Sequence, residues 1–311
     1  MVTIRMASLN DVKGIVNVHC SDVDKWVKRI DGKEVEAKYE DLTIEERFAH
    51  GGPWMSVETC AIHLNYLIVH GQYPIVAELN SKIVGELELY IGEERSILGK
   101  CAFIDVIEVH KDYRRKGIGR ALIGKALEIA KKHNCDTIAV WPTREAVEFY
   151  RKCGIKEVAY NIMHLEFDIR KIEFKKTYSY DISAFPEKYS TVKELVFVAP
   201  RILSSFTAWL KSRWSYAIEE TRALRNEGYV PKLQAAYIVE NIWSRRDVAN
   251  LLLWLRSIEY LPLTINAIFK IAENLGFNKL RLYVDKKIYE RYLKKYEPKI
   301  LSSEVVLMSR I

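Results

Sequence analysis

Arg114-Arg115-Lys116-Gly117-Ile118-Gly119-Arg120-Ala121 stands between two segments of different period. Ahead of it, Phe103-Ile104-Asp105-Val106-Ile107-Glu108-Val109 is a β-branched run that reads as a strand. Behind it, Ala121-Leu122-Ile123-Gly124-Lys125-Ala126-Leu127-Glu128-Ile129-Ala130 is apolar at helical spacing. A glycine-containing loop therefore joins a strand to the first turn of a helix. Gly117 and Gly119 let the backbone turn tightly and approach a ligand. The helix start offers unpaired N–H groups and the positive end of a dipole. With Arg114, Arg115, Lys116 and Arg120 around it, the loop is a seat for a phosphate or pyrophosphate. The plainer reading is a basic turn whose glycines only make it tight.

Working outward, Val2–Ala7 alternates as a first strand, and Ser8 or Asn10 caps a helix through Val12, Ile15, Val16 and Val18. Residues 22–50 are polar, with a short helix expected over 41–47. A second helix starts at Ser56 or Glu58 and ends at His70-Gly71. Strands over 73–79, 82–90 and 103–109, with a turn at Asn80-Ser81, form an antiparallel meander. A helix at 119–133, a strand at 137–141, a helix at 144–152 and a strand near 163–167 complete the order β-α-α-β-β-β-α-β-α-β.

The totals set limits. The 311 residues suit two domains at about 150 residues each. No apolar run approaches the ~20 residues of a membrane span. The five cysteines have no paired spacing, and Met1-Val2-Thr3-Ile4-Arg5 lacks a secretory apolar region, so reduced thiols in a cytoplasm are expected. The seven histidines form no ligand-like set, so no metal is expected. Residues 1–170 hold 24 Lys+Arg against 26 Asp+Glu, and residues 171–311 hold 24 against 15. The basic second half fits a solvated surface, an acidic partner or nucleic acid, of which the first is the plainest.

The run Ile107 to Leu122 resembles the acyl-coenzyme-A binding motif of the GNAT superfamily of N-acetyltransferases. Ala146-Val147-Glu148-Phe149-Tyr150-Arg151-Lys152-Cys153-Gly154-Ile155 looks like that family's next motif, and the element order agrees over residues 2–168. The resemblance implies an α/β fold with a mixed sheet, acetyl-CoA as donor and a primary amine as acceptor. It places the pyrophosphate on Arg114, Arg115, Lys116, Gly117, Ile118, Gly119, Arg120 and Ala121, and the pantetheine arm along Ile107 and Val109. Asp105 matches a position that carries the base in several members, with Glu108 as the other nearby carboxylate. Tyr150 matches the tyrosine beside the sulfur. The family's frequent asparagine seven residues earlier is Thr143 here, which puts coenzyme contacts from that loop in doubt. The acceptor side falls to the variable first helices, with Trp54 and Glu58 as candidates and Asp41, Glu45 and Glu46 nearby.

The second half repeats the first. Ile271 through Leu282 aligns without gaps on Ile129 through Val140 at an offset of 142, Tyr292 falls on Tyr150, and Val305-Val306-Leu307-Met308 corresponds to the strand near Leu165. Residues 234–240 and 248–255 read as paired strands, 171–186 as a bridge and 206–216 as an amphipathic helix. At the loop, Lys116-Gly117-Ile118-Gly119-Arg120 meets Ile258-Glu259-Tyr260-Leu261-Pro262, with both glycines gone. The expectation is two tandem GNAT-like domains, a catalytic one at 1–170 and a degenerate one at 171–311. The alternative is an acetyl-CoA-binding regulator or adaptor without transferase activity, whose basic second half docks a partner or nucleic acid. Oligomeric state and the acceptor's identity stay open.

Overall fold

Ser8 ends the first strand and begins the first helical segment. Its N–H donates to Asp11 Oδ2 at 2.8 Å, and Asp11 in turn holds Arg5 through two bonds of 2.8 and 2.7 Å. The structure, a computed structural model, describes residues 2–30, 33–172, 180–214, 224–242 and 245–311. These fall into two compact units. One is built from Met1–Tyr90 and Ile104–His133, with the described residues from Arg213; the other from Ile91–Phe103, Asn134–Ser212 and the rest of the chain to Ile311.

The first unit holds β1 (Thr3–Met6), α1 (Val12–Cys20), the hairpin β2 (Val27–Ile30) and β3 (Lys33–Glu36), α2 (Ile44–Ala49), α3 (Val57–Val69) and β4 (Tyr73–Leu79). It also takes β5 (Lys82–Glu93) as far as Tyr90, β6 (Lys100–Val109) from Ile104, and α4 (Ile118–Lys132). Its strands lie in the order β1-β4-β5-β6. Asn80 and Ser81 both take left-handed angles (φ 50° and 60°), which suits the twist of a two-residue hairpin turn and joins β4 to β5 as expected. Val12, Ile15 and Val16 of α1 pack with Cys60 and Leu64 of α3 and Val76 of β4. On β5, the Cβ direction of Gly85 points within 3.2 Å of Ile118 and Leu122, so α4 lies close against the sheet there. The β2–β3 hairpin was not foreseen. Its strands Val-Lys-Arg-Ile and Lys-Glu-Val-Glu bury no face, so no apolar alternation marks them. The helix expected at 41–47 begins later, at Ile44, because Thr43 and Glu46 form a capping box there.

The second unit holds β7 (Thr137–Val140), α5 (Val147–Lys152), β8 (Glu157–Asp168), α6 (Tyr189–Val192), β9 (Val196–Ala199) and most of α7 (Ser205–Arg213). It continues with β10 (Arg225–Val230), β11 (Ala235–Ile242), β12 (Arg245–Leu255), α8 (Leu261–Asn274), β13 (Lys279–Asp285), α9 (Lys286–Ile288) and β14 (Lys299–Arg310). Its strand order is β7-β14-β8-β13-β12-β11-β10, with β9 also on β12. The core gathers around Leu165, Phe167, Tyr237, Leu253, Ile265 and Phe269. A second cluster surrounds Trp254, whose indole N–H donates to Ser205 Oγ at 2.9 Å. Of the expected helix at 206–216, α7 covers the start and buries Ala208 and Leu210; Ser215 and Tyr216 lie outside the described residues, as do 173–179 of the expected bridge. Among the described residues no helix is long and apolar enough to cross a membrane.

The offset of 142 holds to the end of the chain: β8 spans 157–168 and β14 spans 299–310. The two strands are exchanged. β14, from the second half, pairs antiparallel with β7, and β8, from the first half, pairs antiparallel with β13. The registers repeat at the same offset: Leu307 lies opposite Val140 as Leu165 lies opposite Leu282, and Arg310 opposite Thr137 as Asp168 opposite Lys279. The compact units therefore do not divide where the sequence repeat does. The cause is backbone pairing: β7 and β8 come from the first 170 residues but hydrogen bond through β14.

Candidate active site

β6 delivers the chain to the loop. Lys111–Tyr113 form a single 3-10 turn, Arg115 takes φ 63°, and Gly117, at φ 84°, is the N-cap of α4. That left-handed angle is where glycine carries no Cβ penalty. Ile118 and Leu122 are buried and hold the first turn of α4 against β5, while Arg115, Lys116, Gly117, Arg120 and Ala121 remain exposed and Gly119 is half-buried. Lys116 Nζ donates to Asp112 O at 2.9 Å. Arg114 is turned to carboxylates. Its guanidinium donates to Asp22 and, at 2.6 Å, to Glu108 Oε1, and its Nε donates to Val109 O at 2.9 Å. Val109 N–H donates to Glu108 Oε1 at 3.0 Å, so both main-chain groups expected to meet the pantetheine arm have local partners. Ile107, one strand position from Glu108, is half-buried.

Beside the loop, in the same unit, is a cavity of about 360 Å³ lined by His19, Asp22, His50, Trp54, Val106 and Glu108, with small or apolar residues between them. Under its wall, Glu86 and Glu88 of β5 are each 1% exposed. His19 Nε2 lies 2.5 Å from Glu86 Oε2. Glu88 Oε1 meets His63 Nε2 at 2.8 Å and accepts the Trp54 indole N–H at 2.8 Å, and Glu88 Oε2 accepts the Tyr90 hydroxyl at 3.2 Å. The indole of Trp54 stacks on His19 with centroids 5.1 Å apart. Burial works to lower the His19 pKa, but the hydrogen bond and charge of Glu86 outweigh it and the net shift is upward. Burial raises Glu86 itself, against the pull of His19. The pair thus holds its shared proton more firmly than either group does in water.

The expected site residues divide. Glu108 and Trp54 line the cavity. Asp105 is half-buried on β6, outside the cavity wall, and close enough for its charge to add to the burial that raises Tyr90. Glu58 is exposed in the first turn of α3, also away from that wall. Glu46 serves as a helix cap, and Asp41 ends a 3-10 turn. Tyr150 is 5% exposed on α5 of the second unit. Sequence reasoning missed His19, His63, Glu86 and Glu88. Glu86-Leu87-Glu88-Leu89 reads as polar-out, apolar-in, yet both faces of β5 are covered. Histidines on two apolar helix faces were the available hint.

Residues 36–155 match the model of the Acetyltransferase (GNAT) family. That stretch contains the loop, Asp105, Glu108 and Tyr150. Residues 36–155 are a GNAT domain. An uncharacterized N-acetyltransferase of Methanocaldococcus jannaschii is 33% identical over 90 residues, 26% of this chain and 38% of the relative. The chain thus matches well under half of that relative's length. The glucosamine 6-phosphate N-acetyltransferase of Schizosaccharomyces pombe is 29% identical over 30% of this chain and 81% of its own. Among solved structures, a putative acetyltransferase from Pyrococcus horikoshii superposes with a TM-score of 0.58 at 16% identity, covering 100% of this chain and 89% of the other. A tandem GNAT protein from the clavulanic acid biosynthesis pathway superposes with a TM-score of 0.52 at 14% identity, covering 100% and 98%. At those identities the likeness is one of fold, and it spans the GNAT domain and the second half together.

The second half builds α8 without the device that starts α4 in the GNAT domain. Ile258–Tyr260 form a 3-10 turn, the N-cap is Tyr260 in a right-handed conformation, and Pro262 occupies the first helical turn without an N–H. The helix ends do correspond: Asn134 after α4 and Gly276 after α8 take φ 49° and 85° at the same offset.

The buried His19–Glu86 pair of the first unit makes stability depend on pH with a definite sign. His19 and Glu86 both titrate above their ordinary values of 6.5 and 4.5. A raised pKa contributes stability that is complete below the unfolded value and is lost as pH rises through the folded one. The melting temperature of wild type relative to Glu86→Gln should therefore be most favourable at low pH, near the ordinary carboxylate value of 4.5 and below, and decline as pH rises through 6.5 and above. Parallel melting curves across that range would refute the shared-proton account.

Proposed function

We infer that the protein is an N-acetyltransferase that uses acetyl-CoA and transfers the acetyl group directly to a primary amine within a ternary complex. The observation that carries this is Gly117 in a left-handed N-cap, at an exposed helix start, inside a GNAT domain. Such a helix start suits a pyrophosphate, with the N–H groups of the first turn as donors and Arg115, Lys116 and Arg120 as surrounding charge. Gly119, Ile118 and Ala121 complete that seat. Bound there, the thioester supplies the activated carbonyl; the chain binds, orients and moves protons. Ile107 lies on the strand that would flank the pantetheine. In this reading residues 1–170 perform transfer, and 171–311, lacking the glycine N-cap, act as a degenerate copy that completes the sheet through β14.

An attacking amine must lose a proton. Asp105 and Glu108 are the candidate bases. Glu108 Oε1 accepts from Arg114 and Val109, an arrangement that suits orienting the amine. Asp105, at the position that carries the base in several members of the family it resembles, is the candidate for the base. Tyr150 is the candidate donor to the leaving thiolate. Release of free thiol from acetyl-CoA with a panel of amines tests the activity. Asp105→Asn should lower kcat by roughly 100-fold or more, the range of general base catalysis, and Tyr150→Phe should lower kcat with little change in KM. Glu108→Gln should act mainly on KM for the amine. Tight acetyl-CoA binding with no amine-dependent thiol release would instead make the protein a coenzyme-binding regulator.

A further inference from the structure

Trp54 is held in the cavity wall on three sides. Its N–H donates to Glu88, its face stacks on His19 at an interplanar angle of 12°, and it makes a T-shaped contact with the His63 ring at a centroid distance of 5.2 Å. Both histidines are themselves fixed by buried carboxylates. A ring so constrained loses little freedom when a ligand arrives.

Charge around the cavity is unbalanced. The wall and the layer under it carry four carboxylates, Asp22, Glu86, Glu88 and Glu108, against the guanidinium of Arg114 and the imidazoles of His19, His50 and His63. The His19–Glu86 pair is neutral with its one proton, whichever atom holds it. Arg114 then offsets one of the remaining three carboxylates, and the set stays negative unless His50 and His63 are both protonated. Among the described residues no lysine or arginine lines the cavity. Its volume of about 360 Å³ is at the small end for ligand sites.

We propose that this cavity takes a small organic dication, a primary amine that carries a second positive group. The proposal rests on the transferase reading and names its acceptor. A reacting amine must shed its proton before attack and so gives up its own charge. A second ammonium keeps its charge throughout, and it is what Trp54 and the Asp22 carboxylate recognise, through the ring quadrupole and the negative potential. An amine bearing a phosphate would bring negative charge to the same wall.

Isothermal titration of the full chain with 1,4-diaminobutane and with glucosamine 6-phosphate tests this, repeated on Trp54→Phe, Trp54→Ala and Asp22→Asn. The diamine should bind at least roughly tenfold more tightly than the phosphosugar, and Trp54→Ala and Asp22→Asn should each cost the diamine roughly tenfold, with Trp54→Phe between. Asp22→Asn is an exposed, conservative change and keeps the test valid if Trp54→Ala does not fold. Absent diamine binding, equal or tighter binding of the phosphosugar, or diamine affinity unchanged in both Trp54→Ala and Asp22→Asn overturns the proposal. Thiol release is scored separately. If no amine of the panel drives it, the transferase reading fails, while the titration alone decides which class of amine the cavity binds.

Discussion

Gly117→Glu should abolish coenzyme binding and leave the fold standing. Its chain neighbours and the adjoining helix backbone aside, no atom of the described residues lies within 4 Å of the position a Cβ would take at Gly117, so the side chain meets open space. The backbone cost is that of a non-glycine residue at φ 84°, about 1–3 kcal/mol. The binding cost is larger. A carboxylate placed about 4 Å from a phosphate charge costs about 4 kcal/mol at an effective dielectric of 20, close to a thousandfold in affinity. Gly117→Ala separates the two effects, because it carries the strain without the charge. Titration calorimetry with coenzyme A should show near-normal binding for the alanine variant and none for the glutamate variant, with circular dichroism unchanged in both. Retained tight binding by Gly117→Glu would remove the pyrophosphate from this loop.

Deleting β14, residues 299–311, should prevent the chain from folding. Val306, Leu307 and Met308 are 1%, 0% and 5% exposed. Burying each contributes about 1.5–3 kcal/mol, together comparable with the ~5–15 kcal/mol net stability of a whole domain. The deletion also leaves the facing edges of β7 and β8 unpaired, which invites aggregation. The same argument applies to the halves. Residues 1–170 lack β14, and residues 171–311 lack β8, the partner of β13. Expressed separately, each should be insoluble or lack a cooperative melt, and co-expression should restore a soluble pair. A stable, cooperatively melting 1–170 fragment would show that the exchanged strand is dispensable.

Local chemistry made much of the chain legible. The turn at Asn80-Ser81, the strand–glycine–helix passage at 107–122, and the helices opening at Ser56 and closing at His70-Gly71 follow from dihedral preference and capping, which act over a few residues. The repeat was legible for a related reason. Helix and strand lengths survive divergence, so the offset of 142 could be read from the apolar period at 271–282, and it proved to extend to β14. The β2–β3 hairpin was not legible, since nothing in it is buried.

What the sequence alone determined, then, is most of the order of elements in the first half, the glycine loop that opens α4 and the loss of its glycines in the second copy. Each rests on contacts between near neighbours in the chain. Tertiary structure decided where partners far apart in sequence meet. It placed Glu86 and Glu88 under His19, His63 and Trp54 rather than in solvent, because helices cover the face of β5 that its alternation would have left wet. It paired Arg114 with Asp22 and Glu108, two carboxylates 92 and 6 residues away. And it exchanged β8 and β14 between the halves. Strand pairing depends on which backbone edge is open, and side-chain pattern carries almost no record of that.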